Sequence, residues 1–213
     1  NPTAPEILGL KAYPSVLECP DPVDLAIVLV PNKAVPGVME QCGQRGLKGA
    51  VVITAGFREV GPQGKALEQQ VLDICHRYNM RMIGPNCFGV VNTDPEYSLN
   101  CTFGKSRALP GRVGFISQSG GLGEAIMNHA RILGLGFSTV VSIGNKADVS
   151  ANDILEFFKD DPRTDVILLY LENFGNPRHF TKIAREITRT KPIVAVKAGR
   201  TRQGADGSRQ EHI

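Results

Sequence analysis

The residues with the most chemical content lie in the turn Phe115-Ile116-Ser117-Gln118-Ser119-Gly120-Gly121-Leu122-Gly123, where an apolar run passes through serines and glycines into an amphipathic stretch. A helix that starts there leaves its first backbone N–H groups without intrahelical acceptors. It also brings its positive dipole end beside two hydroxyls, which makes an anion site suited to phosphate. Ser117, Ser119, Gly120 and Gly121 would form that site. In the plainer reading, Ser119 caps the helix and the glycines allow close packing. A β-branched residue in place of Gly120 is expected to block the amides and leave the fold intact. A second group of residues sits where other apolar runs end: Val30-Pro31-Asn32, Ile53-Thr54-Ala55-Gly56 and Ile83-Gly84-Pro85-Asn86-Cys87. Ligands of open parallel sheets bind beyond the carboxyl ends of the strands, so these three ends should converge on one crevice. Asn86 offers amide hydrogen bonds there. Cys87 reads either as a thiol beside a ligand or as a small buried hydrophobe.

Three of the four histidines, His76, His129 and His179, fall on amphipathic stretches and read as structural or surface groups. His212 stands apart, at the end of the polar, glycine-containing, basic stretch 199–213. It reads either as part of a solvated chain end or as an imidazole that reaches a ligand. Glu172 follows the apolar run Leu168–Leu171, where a carboxylate can orient or charge-balance an imidazole or serve as an ordinary loop acid.

Short β-branched runs alternating with longer amphipathic stretches must position these groups, which is the rhythm of strand, crossover helix and strand in a parallel sheet. The expected elements of the first half are a strand at Leu25–Val30, a helix at Val35–Arg45 ended by Gly46, a strand at Ala50–Thr54, a helix at Leu67–Tyr78 and a strand at Arg81–Ile83. Between Asn92 and Arg112, Pro95, Gly104, Pro110 and Gly111 punctuate a stretch that reads as a polar connection and as a domain boundary. Residues 1–110 and 111–213 are therefore expected to be separate domains. The second should have strands at Val113–Ser117, Thr139–Ile143, Val166–Leu171 and Ile193–Val196, with helices at Gly121–Leu133, Ala151–Phe158 and Pro177–Thr188. Four strands and three helices in this order make a flavodoxin-like open sheet. The first domain lacks the strand and glycine-rich turn with which a doubly wound sheet begins, and the chain opens at Asn1-Pro2 without Met, so a fragment is expected. No G-x-G-x-x-G stands at a strand-to-helix turn, which removes the direct support for a dinucleotide site.

The 213 residues are 42% apolar and 21% charged, the composition of a globular chain. No run approaches the roughly 20 apolar residues of a membrane span. The five cysteines are odd in number and contain no C-x-x-C pair, which argues against a disulfide framework or a zinc site and for a reducing compartment, the cytoplasm. Residues 1–110 are charge-neutral, so the whole net charge of +3 lies in 111–213. Without an arginine-rich stripe or Trp, that charge suits a small anion and not nucleic acid.

The segments ILGLKAYPSV, VITAGFREVG, RMIGPNCFGVVNT, GFISQSGGLGEA, SIGNKADVSANDILEFFKDDP, LLYLE and VKAGR, in that order, resemble the NDP-forming acyl-CoA synthetases. The likeness runs over about residues 4 to 205. It is to the part equivalent to the α subunit of ADP-forming acetyl-CoA synthetase, itself related to the succinyl-CoA synthetase α subunit. The resemblance implies an α/β chain with a Rossmann-like CoA-binding domain, truncated by its first βα unit, followed by a flavodoxin-like CoA-ligase domain, both with mainly parallel sheets. It implies a reversible reaction in which acyl-CoA, phosphate and ADP give acid, CoA and ATP through an acyl phosphate and a phosphohistidine. By motif, Pro31, Ile53, Thr54, Ala55, Asn86 and Cys87 would contact CoA, Ser117 to Gly121 would hold phosphate, and Glu172 would hold the nucleophilic His212. ADP or ATP with Mg2+ would bind an ATP-grasp domain or β subunit outside this chain, in an oligomer. Glu124 stands where succinyl-CoA synthetases carry Tyr, which points to a small monocarboxylic acid.

Two departures from the family pattern stand out. The glycine-rich turn and nearby lysine that grip the CoA phosphates are missing. Arg202–Ile213 reads RQGADGSRQEHI, so an ungapped alignment sets Glu211 on the catalytic histidine, one residue before His212. A second reading is a regulatory module that senses CoA or acyl-CoA, resembling those attached to lysine acetyltransferases and lacking a working phosphohistidine. A plain dinucleotide-binding domain is a third.

Overall fold

The computed structural model describes residues 1, 3–20 and 22–198. A short antiparallel hairpin, β1 (Glu6–Ile7) and β2 (Leu10–Lys11), precedes a three-stranded parallel sheet of β3 (Leu25–Val28), β4 (Gly49–Val52) and β5 (Arg81–Ile83) in that order. Helix α1 (Val35–Arg45) joins β3 to β4 and ends at Gly46, whose φ of +85° is left-handed backbone that glycine adopts freely. Helix α2 (Pro62–Arg77) joins β4 to β5 and begins five residues before the expected Leu67, because Pro62 suits the first helical turn. Alternation along β4 explains both faces of the sheet. Ala50 and Val52 pack with Met39 and Cys42 of α1 and with Val71 and Cys75 of α2. Val51 and Ile53 point the other way and pack in one core with Ile143 and Ala151 of the C-terminal half. That face needs the second half of the chain, since burying a side chain such as Val51 contributes about 1.5–3 kcal/mol.

The second sheet has six strands in the order β11-β10-β8-β9-β6-β7. They are β6 (Gly89–Asn92), β7 (Leu99–Thr102), β8 (Pro110–Ser117), β9 (Phe137–Ser142), β10 (Val166–Leu171) and β11 (Ile193–Lys197). The last four run parallel, as expected of a flavodoxin-like sheet. Helix α3 (Gly120–Ile132) packs through Met127 and Ala130 against Phe115, Phe137 and Val140. Helices α4 (Ala151–Asp160) and α5 (Pro177–Ile187) cover the other face with Leu155, Phe158, Ile183 and Ile187 over Ile116, Val141, Ile167 and Leu169. The stretch 92–112 is corrected. It is not a bare connection, because its residues pair as an antiparallel hairpin, β6 with β7, and β6 also pairs antiparallel with β9. Strand pairing thus places residues 89–102 with the C-terminal half. Periodicity missed β7 because only Cys101 of its four residues is buried.

The two sheets meet along the loop between β9 and α4. Its backbone N–H groups at Asn145, Ala147 and Val149 donate to the carbonyls of Pro85 (2.9 Å), Gly84 (3.0 Å) and Met82 (3.1 Å). Asp148 accepts the Met82 N–H at 2.7 Å and pairs with Arg81 at 3.1 Å. At Gly144, φ is +51° and a Cβ atom would stand 2.3 Å from the Asn86 carbonyl oxygen, so a larger residue cannot occupy this approach. A polar cluster continues the seam: Asn145 donates to Glu59 (2.6 Å) and to Glu68 (3.0 Å), and Arg58 pairs with Glu68. Glu68 is 2% exposed, so its charge depends on these two partners. Burial pushes the Glu59 carboxyl upward, yet hydrogen bonds from Asn145 and from the Gly56 and Phe57 amides outweigh it and hold the group below its ordinary 4.5.

Asp148→Ala should destabilise the protein by about 2 kcal/mol and lower Tm by roughly 4–8 °C in thermal unfolding, because a buried N–H loses its charged acceptor. Glu59 makes a pH-dependent contribution. Its folded-state pKa is depressed, so its stabilisation is complete above the unfolded value and is lost as pH falls through the folded one. Denaturant unfolding should show the stability gap between the native protein and Glu59→Gln at full size at pH 6 and shrinking steadily toward pH 3.

Candidate functional site

The carboxyl ends of β3, β4 and β5 form one rim, as their parallel pairing requires. Side chains stitch it together. The Thr54 hydroxyl donates to the Val30 carbonyl (2.8 Å), the Asn32 amide donates to the Gly56 carbonyl (2.8 Å), and the Asn86 N–H donates to the Thr54 carbonyl (3.0 Å). Pro31 and Ala55 are exposed on this rim, whereas Ile53, Thr54 and Asn86 are half-buried. Asn86 has a left-handed backbone, with φ of +55°. Cys87 turns inward. Its thiol donates to the Val52 carbonyl (3.3 Å), and burial pushes its pKa up to about 12, so of the two readings the buried hydrophobe describes this side chain.

The serine and glycine turn stands next to this rim. Strand β8 ends at Ser117, which is fully buried and donates its hydroxyl to the Ser119 carbonyl at 2.6 Å. Ser119 is the N-cap of α3, and its hydroxyl oxygen faces the Leu122 N–H at 3.4 Å. The next N–H, of Gly123, bonds the Ser119 carbonyl at 3.1 Å. The amides of Gly120 and Gly121 have no partner among the described residues. The cap that the plainer reading expects is present, and these two N–H groups stand at the positive end of the helix. The two glycines differ. A Cβ at Gly120 would press on the Phe88 Cβ at 3.2 Å, whereas nothing lies within 4 Å of a Cβ at Gly121. A β-branched residue at Gly120 therefore needs Phe88 to give way by a few tenths of an ångström, whereas Gly121 offers open space. Phe88 also ties turn to rim, since it lies two residues past Asn86 and its N–H donates to Ser142 of β9 at 3.0 Å.

Glu172 follows β10 and is half-buried. The sequence reading overlooked what holds it. The Gln118 carboxamide oxygen accepts the N–H groups of Glu172 (3.1 Å) and Asn173 (3.4 Å), and its NH2 faces the Glu172 carboxylate at 3.4 Å. Gln118 therefore joins the carboxylate directly to the anion turn. Its position between two serines at a strand end was the available signal. Lys146 reaches the same loop and donates to Asn173, to the backbone carbonyl at 3.0 Å and to the side-chain oxygen. The Glu124 carboxylate accepts the Lys105 N–H at 3.2 Å. His76 and His129 are exposed, and His179 pairs with Glu156 at 3.1 Å. His212 lies outside the described residues. The structure thus brings together the Ser117–Gly121 turn, Glu172 and the rim at Asn86. Among the described residues no group of three or more His, Cys, Asp or Glu side chains is arranged to hold a metal ion, and no helix is long and apolar enough to cross a membrane.

Comparison with known proteins places this geometry in a family. Residues 1–93 match the CoA binding domain and residues 110–212 the succinyl-CoA ligase-like flavodoxin domain. The α subunit of acetate–CoA ligase [ADP-forming] I from Pyrococcus furiosus is 50% identical over 195 residues, covering 92% of this chain and 42% of that protein. The chain thus spans less than half the length of that relative. The succinate–CoA ligase [ADP-forming] subunit alpha 2 of Archaeoglobus fulgidus is 30% identical over 213 residues, covering 97% of this chain and 70% of that one. Among solved structures, the dinucleotide-forming acetyl-coenzyme A synthetase 1 of Candidatus Korarchaeum cryptofilum, in complex with phosphate and ADP, superposes with a TM-score of 0.91. Its identity is 46%, over 100% of this chain and 45% of that one. The chain belongs to the NDP-forming acyl-CoA synthetases, as a CoA-binding domain followed by a CoA-ligase domain of the α-subunit type.

Proposed function

We propose that the chain carries the CoA-binding and phosphoryl-handling part of an enzyme that converts acyl-CoA, phosphate and ADP reversibly into acid, CoA and ATP. The observation that carries this reading is the pair of amides at Gly120 and Gly121, without a partner among the described residues, adjacent to the rim at Asn86 and linked through Gln118 to Glu172. In the acyl-CoA direction, CoA lies on the rim formed by Pro31, Ile53, Thr54, Ala55 and the Asn86-Cys87 backbone, with its thioester toward α3. Phosphate sits on the turn Ser117–Gly121. A phosphate oxygen attacks the thioester carbonyl, the C–S bond breaks, and the departing thiolate takes up a proton. The imidazole of His212 then attacks the phosphorus of the acyl phosphate and the carboxylate leaves. A neutral imidazole is a nucleophile near pH 7, and Glu172 balances the positive charge it gains. The end of α3 steadies phosphate before the transfer and the phosphoryl dianion after it.

The phosphoryl group then passes to ADP, which an ATP-grasp domain or β subunit binds with Mg2+, so the working enzyme is an assembly of both parts. A small monocarboxylate fits the substrate role. Five unpaired cysteines suit the reducing cytoplasm. The relatives compared carry ligase and synthetase names, which favours this reading over a CoA-sensing regulatory module.

Gly121→Val should weaken binding of inorganic phosphate at least tenfold in calorimetry with Tm unchanged within about 2 °C, whereas Gly120→Val should lose stability as well through its contact with Phe88. Unchanged phosphate affinity in Gly121→Val removes the anion assignment. The parent protein, given acetyl-CoA and labelled phosphate, should acquire acid-labile label on His212. A blank in the presence of a competent nucleotide-binding partner supports the regulatory module instead.

A further inference from the structure

We propose that Lys146 is a positioning residue for the phosphohistidine step, clamping Asn173 so that the neighbouring Glu172 carboxylate is held toward the imidazole. This rests on the reading of Glu172 as the partner of the nucleophilic histidine. Lys146 lies in the loop between β9 and α4, and its neighbours on either side are fixed to the first sheet. Asn145 is bonded to Pro85, Glu59 and Glu68, and the Ala147 N–H to Gly84. From that footing the side chain reaches the loop after β10, where its ammonium donates to the Asn173 carbonyl at 3.0 Å and to the Asn173 side-chain oxygen. The clamp is a bidentate grip on the residue directly after Glu172.

Three further features separate this lysine from an ordinary surface cation. Its backbone is left-handed, with φ of +47°, a conformation uncommon for a residue other than glycine and found where surrounding contacts enforce it. Its side chain is half-buried, and that burial holds its pKa below the ordinary 10.5 against the opposing pull of Glu172. The charged groups that act on it are Glu172 and Arg58, the second of which is engaged with Glu68. Glu172 is consequently fixed from two sides: Gln118 holds the backbone amides of residues 172 and 173, and Lys146 holds the carbonyl and side chain of residue 173. A carboxylate that orients an imidazole must keep one direction, and a loop tethered on one side alone does not ensure that.

The test uses the parent protein with its nucleotide-binding part, acetyl-CoA and labelled inorganic phosphate, and measures two products: acetyl phosphate and acid-labile phosphohistidine. Lys146→Met should form acetyl phosphate within about twofold of the native rate while phosphohistidine formation falls tenfold or more. Lys146→Gln, which lacks the charge, should show the same split. Lys146→Arg should restore histidine labelling to at least a third of the native rate. The double variant Lys146→Met/Glu172→Gln should transfer no more slowly than Glu172→Gln alone, because both changes remove one function. Native-like labelling in both Lys146→Met and Lys146→Gln, a parallel loss of both products, or losses that multiply in the double variant overturn the proposal. Absence of phosphohistidine in the native protein removes the reading of Glu172 itself, and the proposal with it.

Discussion

The site depends on one close approach of two backbones. Gly144 passes so near the carbonyls of Pro85 and Asn86 that no side chain fits between them, and the amides of Asn145, Ala147 and Val149 then bond along the end of β5. This contact sets the carboxyl ends of β3, β4 and β5 beside the loop that follows β9. Each sheet alone would offer half a site: a rim at Pro31, Thr54 and Asn86, or an anion turn at Gly120 and Gly121. Packing reinforces the contact, since Val51 of β4 and Ile53 just after it lie in one core with Ile143, Ala151 and Leu155 of the C-terminal half. The geometry between rim and turn is therefore a property of the core, not of a hinge.

Around that contact the polar groups are arranged so that each position is held by another. Glu59 accepts the amides of the rim at Gly56 and Phe57 and receives Asn145 from the second half. Lys146, the next residue, grips Asn173, and Gln118 grips the same loop from the anion turn. Buried polar groups in such numbers are tolerable only when nearly all are bonded, because each orphan loses its hydration without return. The result is a stiff frame around a helix end whose first two amides have no partner among the described residues. A preorganised donor pair of this kind need not reorganise when phosphate or a phosphoryl group binds, which is how fixed dipoles contribute to transfer chemistry.

Much of the scaffold was legible in the amino-acid pattern. The run Leu25–Val30 reads as a strand because it is apolar throughout, and the structure keeps Leu25–Val28 of it, with Ile27 and Leu29 exposed. Helix α1 matches its expected limits, since Gly46 supplies the left-handed terminus that ends it. The anion turn was visible as a serine and glycine cluster between a strand and a helix. The hairpin of β6 and β7 was not, because it pairs at the sheet edge and Leu99-Asn100-Cys101-Thr102 buries little. Asn145 and Lys146 were also illegible, and Gln118 showed only its place between two serines at a strand end. Their partners are 27 to 86 residues away, and nothing local in a glutamine, asparagine or lysine announces a long-range bond. Cys87, which reads either as a thiol beside a ligand or as a small buried hydrophobe, is packed inward.

The central claim is that the amides of Gly120 and Gly121 are donors to a phosphate oxygen. The most direct measurement is a titration of the isotopically labelled protein with inorganic phosphate, followed through its backbone amide resonances by NMR. The account predicts saturable shifts at Gly120 and Gly121 with one common affinity, together with smaller changes at Gln118 and Glu172. Resonances of those two glycines that stay in place while phosphate shifts others, or shifts none, would contradict it.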